Sequence, residues 1–342
     1  MAGFLRDFSD RLPDLRNKSV LVTGATGSFG STFLKHAVEK LNVGRLVVFS
    51  RDELKQYELQ QLYPHARFPQ VRFFIGDVRD GDRLKMATRG VDIIVHAAAL
   101  KQVTAMEYNP FECVQTNIHG AENIVRAAMD NRVGQVIALS TDKAAEPVNL
   151  YGASKLVSDK IFVAANNLTI KGMPRFAVVR YGNVASSRGS VIPYFRDLIK
   201  SGANALPITD PRMTRFIITL DQGVAFVAQC LTLMQGGEIF IPKIPSIRIV
   251  DLAEAMAPGL KQDIVGIRPG EKLHEVLVPA ASSRNVLEAE KMFVLCPELA
   301  YRRYEPAQDI ALSPVGEDFS YHSDTNSEFL SVPEIKELLK VV

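Results

Sequence analysis

Uninterrupted apolar runs, Val20-Leu21-Val22, Leu46-Val47-Val48 and Ile93-Ile94-Val95 among them, punctuate the first half of the chain. A strand that is apolar on both sides of its pleat is buried on both faces, as in a parallel sheet covered by helices. Strands are predicted at 19–23, 45–49, 71–75, 93–96, 136–139 and 176–179, and helical spacing fills the gaps, as at 29–41 and 120–131. The alternation predicts an α/β fold built on a doubly wound parallel sheet.

Past Tyr181 the alternation fades. Gly, Pro and short runs dominate 182–215, a helical stretch at 221–234 packs back on the sheet, and 242–279 mixes a short strand, a helix around 251–256 and the loop Arg268-Pro269-Gly270-Glu271. The predicted organisation is an extension at 1–17, a dinucleotide-binding domain at 18–182 joined by 216–240, and a smaller, discontinuous substrate lobe with a C-terminal segment at 183–215 and 241–342. Ser331-x-x-Glu334 is a capping box that starts a terminal helix. Phe4, Phe8 and Leu12 recur at i, i+4, i+8, which predicts a short amphipathic helix packed on the body or on a partner subunit.

Composition narrows the function classes. The 342 residues are 47% hydrophobic and 23% charged, with a net charge of +2. That balance predicts a globular protein without a nucleic-acid surface. Cys113, Cys230 and Cys296 are few and widely spaced, which predicts a reduced, cytoplasmic protein without disulfides. No Cys or His spacing suggests a metal site. Asp7, Asp10 and Asp14 interrupt the N-terminal segment, so it does not read as a signal peptide, and no run reaches the roughly 18 apolar residues of a membrane span.

Thr23-Gly24-Ala25-Thr26-Gly27-Ser28-Phe29-Gly30 follows the first predicted strand and opens a helix. Glycines at this spacing allow a tight turn and bring backbone N–H groups and a helix N-terminus to a pyrophosphate, the Rossmann arrangement. The second strand ends Ser50-Arg51-Asp52. An acidic residue there favours NAD and an arginine favours NADP; Ser50 and Arg51 point to a 2′-phosphate and so to NADP, with Asp52 the complication. Arg51 also reads as a plain surface charge. Asp77 is placed to accept from an adenine amino group, or else to cap a helix. Ala97, Ala98 and Ala99 are small enough for close approach to a dinucleotide, and equally for ordinary packing.

The run Ser140-Thr141-Asp142-Lys143 ends another strand, and Tyr151 and Lys155 follow at i, i+4 on a helix. One helix face then carries a phenol and an ammonium beside an Asp-Lys strand end. That puts two proton-transfer centres in one cleft. His96 reads as a structural histidine at a strand end, and His274 takes no role.

Together these residues resemble the extended short-chain dehydrogenase/reductase superfamily, in which Tyr-x-x-x-Lys is catalytic. The likeness narrows to the inverting UDP-N-acetylglucosamine 4,6-dehydratases of the pseudaminic acid pathway. It rests on Ser50-Arg51-Asp52-Glu53-Leu54-Lys55-Gln56, Phe73-Phe74-Ile75-Gly76-Asp77-Val78-Arg79-Asp80, His96-Ala97-Ala98-Ala99-Leu100-Lys101, Arg180-Tyr181-Gly182-Asn183-Val184 and Ile267-Arg268-Pro269-Gly270-Glu271-Lys272. It covers roughly 18–279 and is most specific at Ser140-Thr141-Asp142-Lys143-Ala144-Ala145 with Leu150-Tyr151-Gly152. Epimerising and membrane-bound relatives often carry Met where Tyr151 stands. Glu146 departs from the pattern, which has Asn there.

The resemblance implies an NADP-dependent hydro-lyase that oxidises C4, eliminates water across C5–C6, returns the hydride to C6 and inverts C5, giving UDP-2-acetamido-2,6-dideoxy-β-L-arabino-hex-4-ulose. It implies Tyr151, its pKa lowered by Lys155, as the O4 base, Lys143 as a neutral C5 base, Asp142 as a protonated donor to O6, and Thr141 as a partner of O4. Direct pairing of Asp142 with Lys143 opposes both protonation states, so the two side chains are not expected to neutralise each other. The implied dinucleotide contacts extend to Lys55 and Val78. Lys101, Asn183, Arg215, Arg268 and Glu271 are the candidates for substrate, and relatives form dimers and hexamers. A UDP-sugar epimerase or reductase and a non-catalytic NADP sensor share much of this pattern.

Overall fold

Strands β1 (Ser19–Thr23), β2 (Arg45–Ser50), β3 (Val71–Ile75), β4 (Ile93–His96), β5 (Gln135–Thr141) and β6 (Arg175–Tyr181) form where the apolar runs predict them. The computed structural model describes residues 5–170, 173–298, 304 and 310–342. In it these strands are parallel, in the order 3-2-1-4-5-6. All five residues of β1 are buried, as a central strand covered on both faces requires. Strand order reverses between β1 and β4, whose last paired residues are Thr23 and His96. The crevice beyond their carboxyl ends is where such sheets bind ligands.

The sheet continues past the boundary predicted at 241. Ile239–Pro242 adds in parallel to β6, and Met292–Leu295, Val286–Glu288 and Ser313–Pro314 follow antiparallel. The segment assigned to the substrate lobe therefore also builds the edge of the main sheet. Phe293 and Val294 pack into its core, but such short runs leave little periodicity to read. The lobe proper holds small sheets, such as Ser246–Arg248 with Thr214–Ile218 and Asn183–Val184, around two apolar clusters of its own. The capping box at Ser331 and Glu334 forms as predicted.

The helix Leu220–Leu233 packs on the main body with nearly every residue buried, and starts with a capping box of Thr219 and Gln222. Phe8 lies against it, its ring centroid 5.0 Å from that of Phe226. The N-terminal segment thus packs on the body, yet its described residues are not helical, and Phe4 lies outside them. Asp7 accepts from both the backbone N–H and the hydroxyl of Ser9, a local turn that competes with helix. Phe8 is 1% exposed. Phe8→Ala is therefore expected to lower stability by about 3 kcal/mol, the loss typical of a buried ring. Urea unfolding checks this, and an unchanged midpoint would mean that the segment lies outside the cooperative unit.

Candidate active site

The glycine turn after β1 is built for close approach. Gly24 has φ +65°, and a Cβ there would stand 2.8 Å from the Cα and the N of Ala98. A Cβ on Gly30 would meet Ala25 at 2.4 Å, so the helix Ser28–Glu39 starts tight against the turn. Thr23 fixes the opposite wall: its hydroxyl accepts from the N–H groups of Ala97 and Ala98 at 3.1 and 3.2 Å. With both lone pairs used, that hydroxyl donates to His96 Nδ1, 2.9 Å away. Burial pushes His96 down to about 3, so it is neutral and structural.

A cavity of about 590 Å³ opens over this turn, and every residue expected to touch a dinucleotide lines it, Gly27, Phe29, Val78 and Ala99 included. The glycine turn leaves room for a pyrophosphate backbone, and Ser28 at the start of the helix Ser28–Glu39 lines the cavity, so the residues present fit a dinucleotide. At the end of β2, Thr26 and Ser50 share a hydrogen bond of 2.8 Å. Asp52 caps the next helix through Lys55 N and pairs with Lys55 Nζ at 2.6 Å, so its carboxylate is already engaged. Asp77 does not cap a helix; Asp80 does. Burial works to raise Asp77, but hydrogen bonds from Arg79 and the charge of Arg51, 3.5 Å away, outweigh it and hold the carboxyl below its ordinary range.

The predicted catalytic residues converge on the same cavity: Thr141, Asp142 and Lys143 from the end of β5, Tyr151 and Lys155 from the helix Leu150–Ala165. Asn149 caps that helix by accepting from Gly152 N at 2.8 Å. Gly152 is the contact point, since a Cβ there would lie 2.1 Å from the carbonyl oxygen of Lys143. Thr141 Oγ1 donates to Asp142 Oδ1 at 2.9 Å. Lys143 Nζ donates to Asp142 Oδ1 and to Glu275 Oε1, each at 3.1 Å.

Two electrostatic expectations are corrected here. Asp142 and Lys143 do pair. Burial alone would lower Lys143, but the carboxylates of Asp142 and Glu275 overcome it and raise the amine above the ordinary lysine range, with Arg215 opposing. Lys143 is thus an ammonium at rest, not the neutral amine expected. Tyr151 is likewise not lowered: burial pushes it up to about 12, and the cation that works against burial is Lys143 rather than Lys155. Lys155 is itself lowered by burial, with Asp159 opposing.

Of the substrate candidates, Lys101 and Asn183 line the cavity, whereas Arg215, Arg268 and Glu271 do not. Arg215 is buried and spends its donors on the carbonyls of Thr214, Leu273 and Lys272. Arg268 is exposed and stands 3.9 Å from Glu271. That loop instead docks on the catalytic segment: Lys272 Nζ donates to Ala145 O at 2.5 Å and Asn149 to Gly270 O at 2.7 Å. Glu146, where Asn was expected, has φ +50°, a left-handed conformation that asparagine tolerates best.

Sequence reasoning missed Glu275, Asn117 and Arg188. Asn117 joins the Leu100 backbone to Ser154 on the helix Leu150–Ala165, from within a π-helical turn, Val114–His119. Arg188 lines the cavity, and its backbone N–H donates to Ser28 Oγ at 3.3 Å. None of the three sits in a spacing that marks chemistry; only proximity in the fold reveals them.

A family described as polysaccharide biosynthesis protein matches residues 20–297. The UDP-N-acetylglucosamine 4,6-dehydratase (inverting) of Campylobacter jejuni subsp. jejuni serotype O:2 is 50% identical over 329 residues, 94% of this chain and 97% of that protein. A UDP-glucose 4-epimerase of Rickettsia bellii is 41% identical over 340 residues, 94% and 95% of the two chains. Among solved structures, Pen from Bacillus thuringiensis superposes with a TM-score of 0.85 at 34% identity, over 96% of this chain and 98% of that one. Structures of lower identity, alike in fold alone, hold NAD.

Gly24→Ala tests the cradle. A side chain at positive φ costs about 1–3 kcal/mol, and here it also pushes Ala98 out of line. Fluorescence titration should show weakened dinucleotide binding, and unchanged affinity would mean that the ligand lies elsewhere in the crevice.

Proposed function

We propose that this chain, which belongs to the polysaccharide biosynthesis protein family, is a UDP-N-acetylglucosamine 4,6-dehydratase that inverts C5. The observation that carries this reading is the convergence of Thr141, Asp142 and Lys143 with Tyr151 and Lys155 on one dinucleotide-sized cavity. The relative that shares half of its sequence bears that activity in its name. The product, a 4-keto-6-deoxy sugar nucleotide, suits a first step toward pseudaminic acid-type glycans. Cytoplasmic work is consistent with three free cysteines. Exposed Tyr108, Phe111 and Val157 offer an apolar face for a homo-oligomer.

The Gly24–Gly30 turn, Asp77 and Lys155 would hold a nicotinamide dinucleotide, which when bound would supply the hydride chemistry. The protein's own groups manage the protons. Tyr151 takes the O4 proton through its ionised form, a minor form for a phenol held up at about 12 by burial, which the Lys143 ammonium favours. Once C4 is a ketone, C5–H is acidic. Lys143 and Asp142 already hold between them the single proton that elimination needs. Moving it across their 3.1 Å hydrogen bond gives a neutral amine to take C5–H and a carboxylic acid to protonate the departing O6. After elimination the pair is again ammonium and carboxylate. Hydride addition at C6 leaves an enolate, and C5 takes its new proton from solvent water on the face opposite Lys143, which gives inversion. Lys101 and Asn183 contact the sugar nucleotide, and Arg215 supports the site from behind.

For the cofactor we favour NADP. Asp52, the acid that would hold a ribose diol in an NAD site, is spent on the helix cap and on Lys55, while Arg51, 55% exposed and paired only loosely with Asp77 at 3.5 Å, stands at the cavity edge within a rotamer change of a 2′-phosphate. Arg51→Ala is expected to weaken NADP by about 10- to 100-fold, the worth of a charged hydrogen bond, with NAD little changed. Equal losses for the two would remove the assignment.

The epimerase reading has a specific observation behind it, the 41% identical relative, and product analysis separates the two. Incubated with UDP-N-acetylglucosamine in deuterated water, the protein should release a ketone product lighter by one water and deuterated at C5. A product of unchanged mass would indicate epimerisation, and no conversion would leave a dinucleotide sensor.

A further inference from the structure

We propose that Glu275 is a positioning residue for Lys143: from the substrate lobe, it keeps the one transferable proton inside the Lys143–Asp142 pair. This deepens the dehydratase reading and rests on it. Glu275 lies 132 positions from Lys143 in sequence, at the start of Val276–Val278, and reaches across to place Oε1 3.1 Å from the amine. Its side chain is only 2% exposed. Its backbone N–H donates to Ser323 Oγ at 2.9 Å, which fixes the strand that carries it. Arg215 Nε, 3.6 Å away, balances its charge. Among the described residues, Glu275 Oε2 and Asp142 Oδ2 are both buried without a hydrogen-bond partner, so the ammonium is the main compensation for two buried carboxylates.

The need for such a group follows from the proton count. Elimination requires Lys–NH2 and Asp–COOH, which together hold one proton more than Lys–NH2 with Asp–COO⁻. A buried lysine without anionic neighbours sheds its proton, and Asp142 would then have none to give to O6. The charges facing Lys143 are Asp142 and Tyr151 on the dinucleotide-binding side, Lys101 after β4, and Arg215, Lys272 and Glu275 on the lobe. Arg215, Lys101 and Lys272 all favour losing the proton. Glu275 is the carboxylate that resists this without taking part in the transfer: Lys–NH3⁺ with Asp–COO⁻ becomes Lys–NH2 with Asp–COOH at constant net charge. Two lobes must meet to bring Glu275 to Lys143, so the proton of the Lys143–Asp142 pair is secured only in the assembled cleft.

Competitive acetylation of the substrate-free protein, with the Lys143 peptide quantified by mass spectrometry from pH 7 to 10, tests this apart from turnover. Loss of an adjacent opposite charge lowers a lysine by about 1–3 units. Glu275→Gln should therefore label Lys143 at least ~10-fold faster than wild type at a given pH, while Glu275→Asp stays near wild type. Lys155, buried but out of reach of Glu275, reports general loosening and should not change. Lys143 labelling within about threefold of wild type, or a parallel rise at Lys155, overturns the proposal, even if the protein converts UDP-N-acetylglucosamine. Where it does convert, the alkaline limb of the rate profile should fall by the same 1–3 units in Glu275→Gln. Failure of wild type to convert it defeats the dehydratase reading and leaves the labelling result standing.

Discussion

The carbonyl of Lys143 occupies the place where residue 152 would carry a Cβ, and the rest of the site depends on that approach. Gly152 sits between Tyr151 and Lys155, so the helix bearing the phenol seats directly on the turn bearing Asp142 and Lys143. Any side chain at 152 would lift the helix from the strand end by more than the tolerance of a hydrogen bond. The sheet fixes one partner: β5 is held by β4 from Gln135 to Ala138 and by β6 along its whole length, up to Thr141 opposite Tyr181. Asn149 and Asn117 fix the other, capping the helix and tying it to the loop after β4. Relative position thus comes from packing between rigid elements rather than from loops, the placement that precise chemistry requires.

Behind this contact the buried charges are paired. Asp159, one helical turn beyond Lys155, accepts from Ser140 at 2.8 Å and from Arg180 at 3.2 Å, and both ion-pair partners are almost wholly buried. Such a pair adds little net stability, but losing one partner is costly because it strands a charge. Here the pair also binds the ends of β5 and β6 to the helix, and its anion counters the burial of Lys155. In front, Asp142 and Glu275 face Lys143 and Arg215, two anions to two cations. Neutral in sum, that cluster tolerates burial and still leaves one proton free to move.

The sequence discloses what periodicity and local motifs encode. Buried parallel strands are continuously apolar, so β1 to β6 are legible within a residue or two. The glycine turn, the Asp-Lys strand end and the Tyr-x-x-x-Lys helix are each contained in a short window. Features that pair residues far apart are not legible. Glu275 and Lys143 meet only because the lobe folds over, and nothing in Leu273-His274-Glu275 marks that glutamate. Arg215 is a substrate candidate by its sequence context, yet burial turns its donors onto carbonyls. The protonation states were misread for the same reason: they depend on partners that only the tertiary structure supplies. Glu146 is the opposite case, a local departure legible in the sequence, whose positive φ suits the asparagine of the pattern better than the glutamate present.

Pairing of Lys143 with Asp142 looks at first like an obstacle to a neutral base, but in the dehydratase reading it orders the steps. While Lys143 is an ammonium it favours ionised Tyr151 and so works against burial, which still holds the phenol up at about 12. The ion pair therefore assists the oxidation at C4 before it does any proton chemistry of its own. When Tyr151 takes the O4 proton, its negative charge disappears, and with it one of the attractions that hold the proton on Lys143. Transfer to Asp142 then becomes easier, and the free amine is available when C5–H has become acidic and not before. A base that was neutral from the start would not lower Tyr151 and would face a C5–H that has no adjacent ketone. The order of oxidation and elimination is thus carried by the coupling of three groups, Tyr151, Lys143 and Asp142, within one buried cluster.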